Sequence, residues 1–197
     1  MKALLASISI LFAFISRGNA IECEVCSGQA SMDCSGELVT CDQTVESCQT
    51  AITDMTFEGL DPMYAVFKNC SDVGAKNILH RFAAKDVFYQ QRVEVCQTNG
   101  CNKGPLQFPP KNTTLNGVKC PTCVVAGELS CEATEVVECV GKMTSCLYIA
   151  GTFRITAAPP VKSAYHGCTS AEFAEQVPIG PADTVQEVVT LIVSKGV

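Results

Sequence analysis

The chain has 197 residues, 14 cysteines, no tryptophan and a formal net charge of −6. That acidic balance argues against nucleic acids and anionic lipid surfaces as partners. With only nine phenylalanines and four tyrosines, neither half can build a large apolar core, so cross-links must compensate, each contributing about 2–4 kcal/mol by restricting the unfolded chain.

Lys2, an apolar run from Ala3 to Ile15 and small residues at Gly18 and Ala20 have the layout of a secretory leader cut after Ala20. The run is too short to cross a bilayer comfortably. All fourteen cysteines follow it, and in the oxidising compartment it leads to they read as disulfides.

Six of these cysteines recur. Cys23, Cys26, Cys34, Cys41, Cys48 and Cys70 are echoed by Cys120, Cys123, Cys131, Cys139, Cys146 and Cys168, at offsets of 97, 97, 97, 98, 98 and 98 residues. A single inserted residue reconciles the copies, so the chain is a tandem duplication of one cysteine framework. Cys96 and Cys101 complete the first copy.

In chain order, turn formers separate the cysteines from Cys23 to Cys48, which suits short strands and tight turns. Val45 to Met55 is a strand candidate, Gly59 to Pro62 a break, and Met63 to Phe67 the return to Cys70. Ser71 to Asn77 reads as loop, and Val87 to Val95 as a last strand ending at Cys96. Residues 103–117, with Gly104-Pro105, Pro109-Pro110 and Asn116-Gly117, read as an exposed, semi-stiff linker. It contains the acceptor sequence Asn112-Thr-Thr114 for N-glycosylation. Asn69-Cys70-Ser71 fits the same pattern, but Cys70 belongs to the framework, so Asn69 ranks second. The second half repeats the plan: a strand from Cys146 to Ile155, a break at Ala158 to Pro160, a return from Val161 to Gly167, and a β-branched final strand from Val185 to Val193. That last run is too short to span a membrane. No sustained helical period occurs anywhere.

The two Cys-x-x-Cys pairs admit a redox or zinc reading, but no βαβ pattern accompanies them and each is followed by four further cysteines. His80 and His166 have no recurring nucleophile or carboxylate partner and read as histidines exposed on a finger. Glu22/Glu24 and Glu135/Glu138 read as solvated edges. No motif for nucleophilic, phosphate-binding or zinc-protease chemistry is present, so no catalytic residue, metal ligand or cofactor is expected.

Cys-x-x-Cys near the start of the processed chain, the close cysteine set, and the ending Cys96-Gln-Thr-Asn-Gly-Cys101-Asn102 resemble the Ly6/urokinase-receptor three-finger family. The tandem form is similar to gamma-type phospholipase A2 inhibitors and to sodefrin precursor-like courtship pheromones. The resemblance implies an all-β chain of two disulfide-rich three-finger domains, at 21–102 and 118–197 after a signal peptide of residues 1–20. It implies the pairs Cys23–Cys48, Cys26–Cys34, Cys41–Cys70 and Cys96–Cys101, then Cys120–Cys146, Cys123–Cys131 and Cys139–Cys168. Relatives usually carry one more bridge in each third finger. Both of its cysteines are missing here each time, which implies looser third fingers, most of all from Ala171 to Val197. Binding would use the finger tips, Thr53 to Tyr64 and Gly151 to Ala164, where Phe57, Met63, Tyr64 and Phe153 are candidate contacts that could equally pack inward. The implied function is that of a secreted, extracellular, non-enzymatic binding protein. Its partner would be a secreted phospholipase A2, which it inhibits, or a cell-surface receptor, and a homo-oligomer is compatible with the sequence.

Overall fold

A computed structural model describes residues 20–71, 74–154, 159–170 and 185–196. Residues 1–19 of the expected leader, the segment from Ala171 to Glu175 and the turn at Pro178 to Pro181 lie outside the described residues. In the first half the strands are β1 (Glu22–Gln29), β2 (Glu37–Thr40), β3 (Cys48–Phe57), β4 (Met63–Cys70), β5 (Ile78–Ala84) and β6 (Val87–Cys96). In the second they are β7 (Leu115–Ala126), β8 (Glu135–Val140), β9 (Ser145–Phe153), β10 (Val161–Thr169) and β11 (Val185–Lys195). No helix occurs among the described residues. The sequence carries the reason: Cys48, Thr50, Ile52 and Asp54 of β3 point inward at every second position while their neighbours stay partly exposed, the period of a pleated strand.

Consecutive strands form antiparallel hairpins: β1–β2, β3–β4 and β5–β6, then β7–β8 and β9–β10. The hairpins are joined by the same two pairings in each half. The first strand of the first finger pairs with the return strand of the second, β1 with β4 and β7 with β10. The outgoing strand of the second finger pairs with the last strand of the third, β3 with β6 and β9 with β11. These are two tandem three-finger domains.

At the base of each domain the interior is made of cystine. Cys23–Cys48 and Cys41–Cys70 lie against each other, the sulfurs of Cys23 and Cys41 being 3.2 Å apart, with Ile21 packed beside them. Cys120–Cys146 and Cys139–Cys168 repeat the arrangement at 3.5 Å, with Met143. Cys26–Cys34 and Cys123–Cys131 staple the first fingers, and Cys96–Cys101 closes the end of the first domain. The largest non-cystine cluster belongs to neither domain alone. Phe82, Ala84 and Val87 of the first domain pack with Leu147, Ile149, Phe153 and Tyr165 of the second. Tyr165 meets Phe82 and Phe153 edge-on, at ring centroid distances of 6.3 and 5.3 Å, a favoured aromatic geometry.

Backbone pairing reinforces this seam: β10 adds to β5 through Cys168 opposite Ala83 and Thr169 opposite Phe82. Gly167 lets the two backbones meet, because a Cβ there would overlap the Ala83 carbonyl.

The linker is strapped down rather than free. Arg81 donates through Nη2 to the Pro109 carbonyl at 2.8 Å and through Nε to Gln90 Oε1 at 3.2 Å. Gln90 Nε2 donates to the buried Asp54 carboxylate at 2.8 Å. Lys111 pairs with that carboxylate at 3.2 Å and sits over the Phe88 ring, 4.1 Å from its centroid. Arg92 donates to the Gln107 carbonyl.

Four details differ from the sequence reading. The strand expected from Val45 runs from Cys48, because Val45 closes a turn on the Asp42 carbonyl. The strand expected to reach Ile155 is described from Ser145 to Phe153. The linker ends at Leu115, where β7 already begins. β5 was not anticipated: His80 occupies an inward position between Ile78 and Phe82, and a polar residue there hides the alternation.

Because one apolar cluster serves both domains, Leu147→Ala is expected to cost about 2–5 kcal/mol and Gly167→Ala about 1–3 kcal/mol by overpacking. In urea, with disulfides intact, tryptic susceptibility of both halves should rise in one transition that shifts in each variant. Two separate transitions, with only the second-domain one moved, would contradict the shared seam.

Candidate functional site

The strands of the first domain are locked from behind by two polar devices. Asn102, buried directly after the last cysteine, accepts from the Glu24 backbone N–H at 2.9 Å and donates to the Glu24 carbonyl at 2.8 Å, so the end of the domain is bonded across β1. Lys68 is fully buried in β4. Its Nζ donates to Glu24 at 3.0 Å, to Asp33 at 2.8 Å and to the Cys34 carbonyl at 2.8 Å, using all three donors. Burial alone would raise the Glu24 pKa, but hydrogen bonds from Lys68 and from the Gly36 N–H, with the ammonium charge, hold it below its ordinary value of 4.5. Burial would likewise lower Lys68, and the bonds to Asp33 and Glu24 outweigh it and raise it. Glu24 is therefore not a solvated edge. Sequence reasoning missed this cluster, although Lys68 lies two residues from Val66 and from Cys70, at an inward step of the strand. Glu135 and Glu138 are exposed, paired with Lys85 at 2.7 Å and Lys119 at 3.1 Å.

The histidines also differ from expectation. His80 is buried, and its inward place on β5 accounts for this. His166 is partly buried edge-on to Tyr148, ring centroids 5.4 Å apart, and burial pushes its pKa below the ordinary value. The sulfur triples Cys23/Cys41/Cys70 and Cys120/Cys139/Cys168 each lie within 4.8 Å, but every sulfur is in a disulfide and offers no thiolate to a metal.

The candidate contact surface is the tip of the first domain's second finger. Gly59, at φ 76°, turns the chain, and the Leu60 N–H closes it on the Phe57 carbonyl at 3.1 Å. Leu60 is left 66% exposed. Met63 and Tyr64 are half-buried on the return strand, and Phe57 leans into the seam. The Glu58 N–H donates to the Asp86 carbonyl at 2.8 Å, joining the tips of the second and third fingers. A hydrogen bond and charge repulsion from Asp86 raise the Glu58 carboxyl. Lys85 is drawn away to Glu135, and its backbone N–H donates to Thr122 at 2.9 Å, so the second domain braces this tip. Leu60 has Glu58 and Asp61 beside it in the chain, and Glu58 is bonded to Asp86. Phe153 is 9% exposed within the seam, so it packs as core and offers no contact surface. Residues 155–158 of the other expected tip lie outside the described residues. Asn112 is exposed, whereas Asn69 is half-buried in β4.

A family model described as the u-PAR/Ly-6 domain matches residues 19–104 and again 116–188, and the chain belongs to this family. It is 29% identical over 174 residues to the phospholipase A2 inhibitor PIP of Malayopython reticulatus, covering 87% of this chain and 84% of that protein. It is 30% identical over 159 residues to the phospholipase A2 inhibitor NAI of Notechis ater, covering 77% and 75%. Among solved structures, mouse TEX101 superposes with a TM-score of 0.42 at 15% identity, covering 88% of this chain and 99% of that one.

Removing Lys68 leaves the Glu24 carboxylate buried without its cation, so Lys68→Ala is expected to cost about 3–5 kcal/mol in urea titrations at neutral pH. The sign with pH follows from the lowered Glu24 pKa. Its contribution is present above 4.5 and is lost as pH falls through the folded value. The variant should lose less stability than the parent on acidification across that range, and equal losses would contradict the pairing.

Proposed function

We propose that this protein is a secreted, non-catalytic inhibitor of a secreted phospholipase A2, acting by protein contact after residues 1–20 are removed. The observation that carries the reading is the match, along most of both chains, to proteins named as phospholipase A2 inhibitors. Cystine interiors support it, because they suit an oxidising, extracellular setting. The surface best suited to the contact is the braced tip around Leu60, an exposed apolar side chain with Glu58 and Asp61 beside it in the chain and Asp86 bonded to Glu58. Nothing in the arrangement requires chemistry from the inhibitor.

The test is phospholipid hydrolysis by a secreted phospholipase A2 with increasing amounts of the purified protein. Suppression near one-to-one stoichiometry is expected, and Leu60→Asp should weaken it about tenfold or more. An unchanged rate at several-fold excess would reject inhibition. Full inhibition by Leu60→Asp would reject the tip while leaving inhibition intact.

A further inference from the structure

Where the two domains meet, the structure holds a cavity of about 250 Å³ with Asn112 on its rim. Its walls come from three parts of the chain: Leu79 and Phe88 of the first domain, Lys111 and Asn112 of the linker, and Lys142 and Met143 of the second. It is smaller than the roughly 300–1,000 Å³ of typical small-molecule sites, a size for a single ring. Three cations border it, which would suggest an anion, but two are already engaged. Arg81 donates to Pro109 and Gln90, and Lys111 is paired with Asp54 and seated on Phe88. What remains is mixed, apolar side chains such as Leu79 with polar groups around them, and this suits an uncharged, amphipathic ligand.

Asn112 is placed to supply such a ligand covalently. The Thr114 N–H donates to Asn112 Oδ1 at 2.9 Å, which fixes the amide and leaves Nδ2 directed away from that bond. The segment is held against the second domain, since the Gly141 N–H donates to the Thr114 carbonyl at 2.9 Å and Asn116 Nδ2 donates to the Gly141 and Met143 carbonyls at 3.1 and 2.9 Å. Gly141, at φ 56°, packs closely beside it: a Cβ at that residue would stand 3.1 Å from the Asn112 Cβ. Asn69 is placed differently: its Oδ1 accepts from the Cys70 N–H at 2.8 Å, and it is half-buried in the sheet next to the Cys41–Cys70 bridge.

We propose that Asn112 carries an N-linked glycan whose first N-acetylglucosamine seats in the interdomain cavity and braces the linker against both domains. In the transfer, Asn112 Nδ2 forms a bond to C1 of a lipid-linked oligosaccharide diphosphate. The C1–oxygen bond to the diphosphate breaks, the lipid diphosphate leaves, and one amide proton passes to the transferring enzyme. The aliphatic side chains of the lining then meet the C–H face of the ring, and its hydroxyl and acetamido groups face Lys142 and solvent. This rests on the secretory reading above, since the transfer takes place only on that route.

The test expresses the full chain in a secretory host, with Thr114→Ala and Thr114→Ser variants, and maps occupancy by peptide mass. Asn112 is expected to be occupied in the parent and in Thr114→Ser, bare in Thr114→Ala, and Asn69 bare throughout. Endoglycosidase trimming to one N-acetylglucosamine should leave Tm unchanged. Thr114→Ala, and the parent stripped of every sugar, should both lose about 2–4 °C in Tm and exchange linker amide hydrogens faster over residues 103–114. A secreted chain with Asn112 bare overturns the proposal alone. An occupied Asn112 whose complete removal changes neither Tm nor linker exchange overturns the seating of the sugar. A chain found with its leader uncut and Asn112 bare overturns the secretory reading together with this one.

Discussion

The contact between two disulfides at the base of each domain is the constraint on which the molecule depends. Cys48 faces Cys70 across β3–β4 and Cys96 across β3–β6, so a single residue anchors three strands in the place where other domains put aliphatic layers. Cys146 faces Cys168 and Ser194 in the second domain and plays the same part. Small domains rarely bury enough apolar surface to offset their lost chain entropy, and linking distant strands reduces that entropy before folding begins. Hairpins rooted in such a base can vary in sequence at their tips without unfolding it.

The domains are nevertheless not independent beads. Each has few aromatic residues, and Phe82, Phe153 and Tyr165 are pooled where the third finger of the first domain meets the second finger of the second. The linker's carbonyls are bonded to Arg81 and Arg92 on the same third finger. Lys85, from the β5–β6 turn, reaches Glu135 and Thr122 of the second domain. The consequence is orientation: the tip around Leu60 is fixed relative to the second domain, so a contact surface there would be preorganised. Preorganisation lowers the ordering cost of association.

Cysteine spacing made the tandem framework legible, and the three-finger fold was legible through the family resemblance carried by the Cys-x-x-Cys pairs and by Asn102 directly after Cys101. Most strands were legible because turn formers bound them and apolar residues alternate within them. What was not legible depends on pairings between distant positions. Glu24 and Lys68 are 44 residues apart, and the inward step at Lys68, between Val66 and Cys70, does not say which distant carboxylate it meets. β5 was hidden by His80 at an inward step, and Phe153 belongs to a seam that exists only once both domains are present. The linker's composition marked it as extended. It could not show that Arg81 and Lys111 would hold it down.

Peptide mapping of the unreduced, native protein addresses the base of this structure most directly. Seven links are expected, with Cys23–Cys48 and Cys41–Cys70 in one connected fragment cluster and Cys120–Cys146 and Cys139–Cys168 in another, and no free thiol. A disulfide joining a cysteine before residue 102 to one after residue 119 would contradict it, as would a free thiol at any of these eight positions.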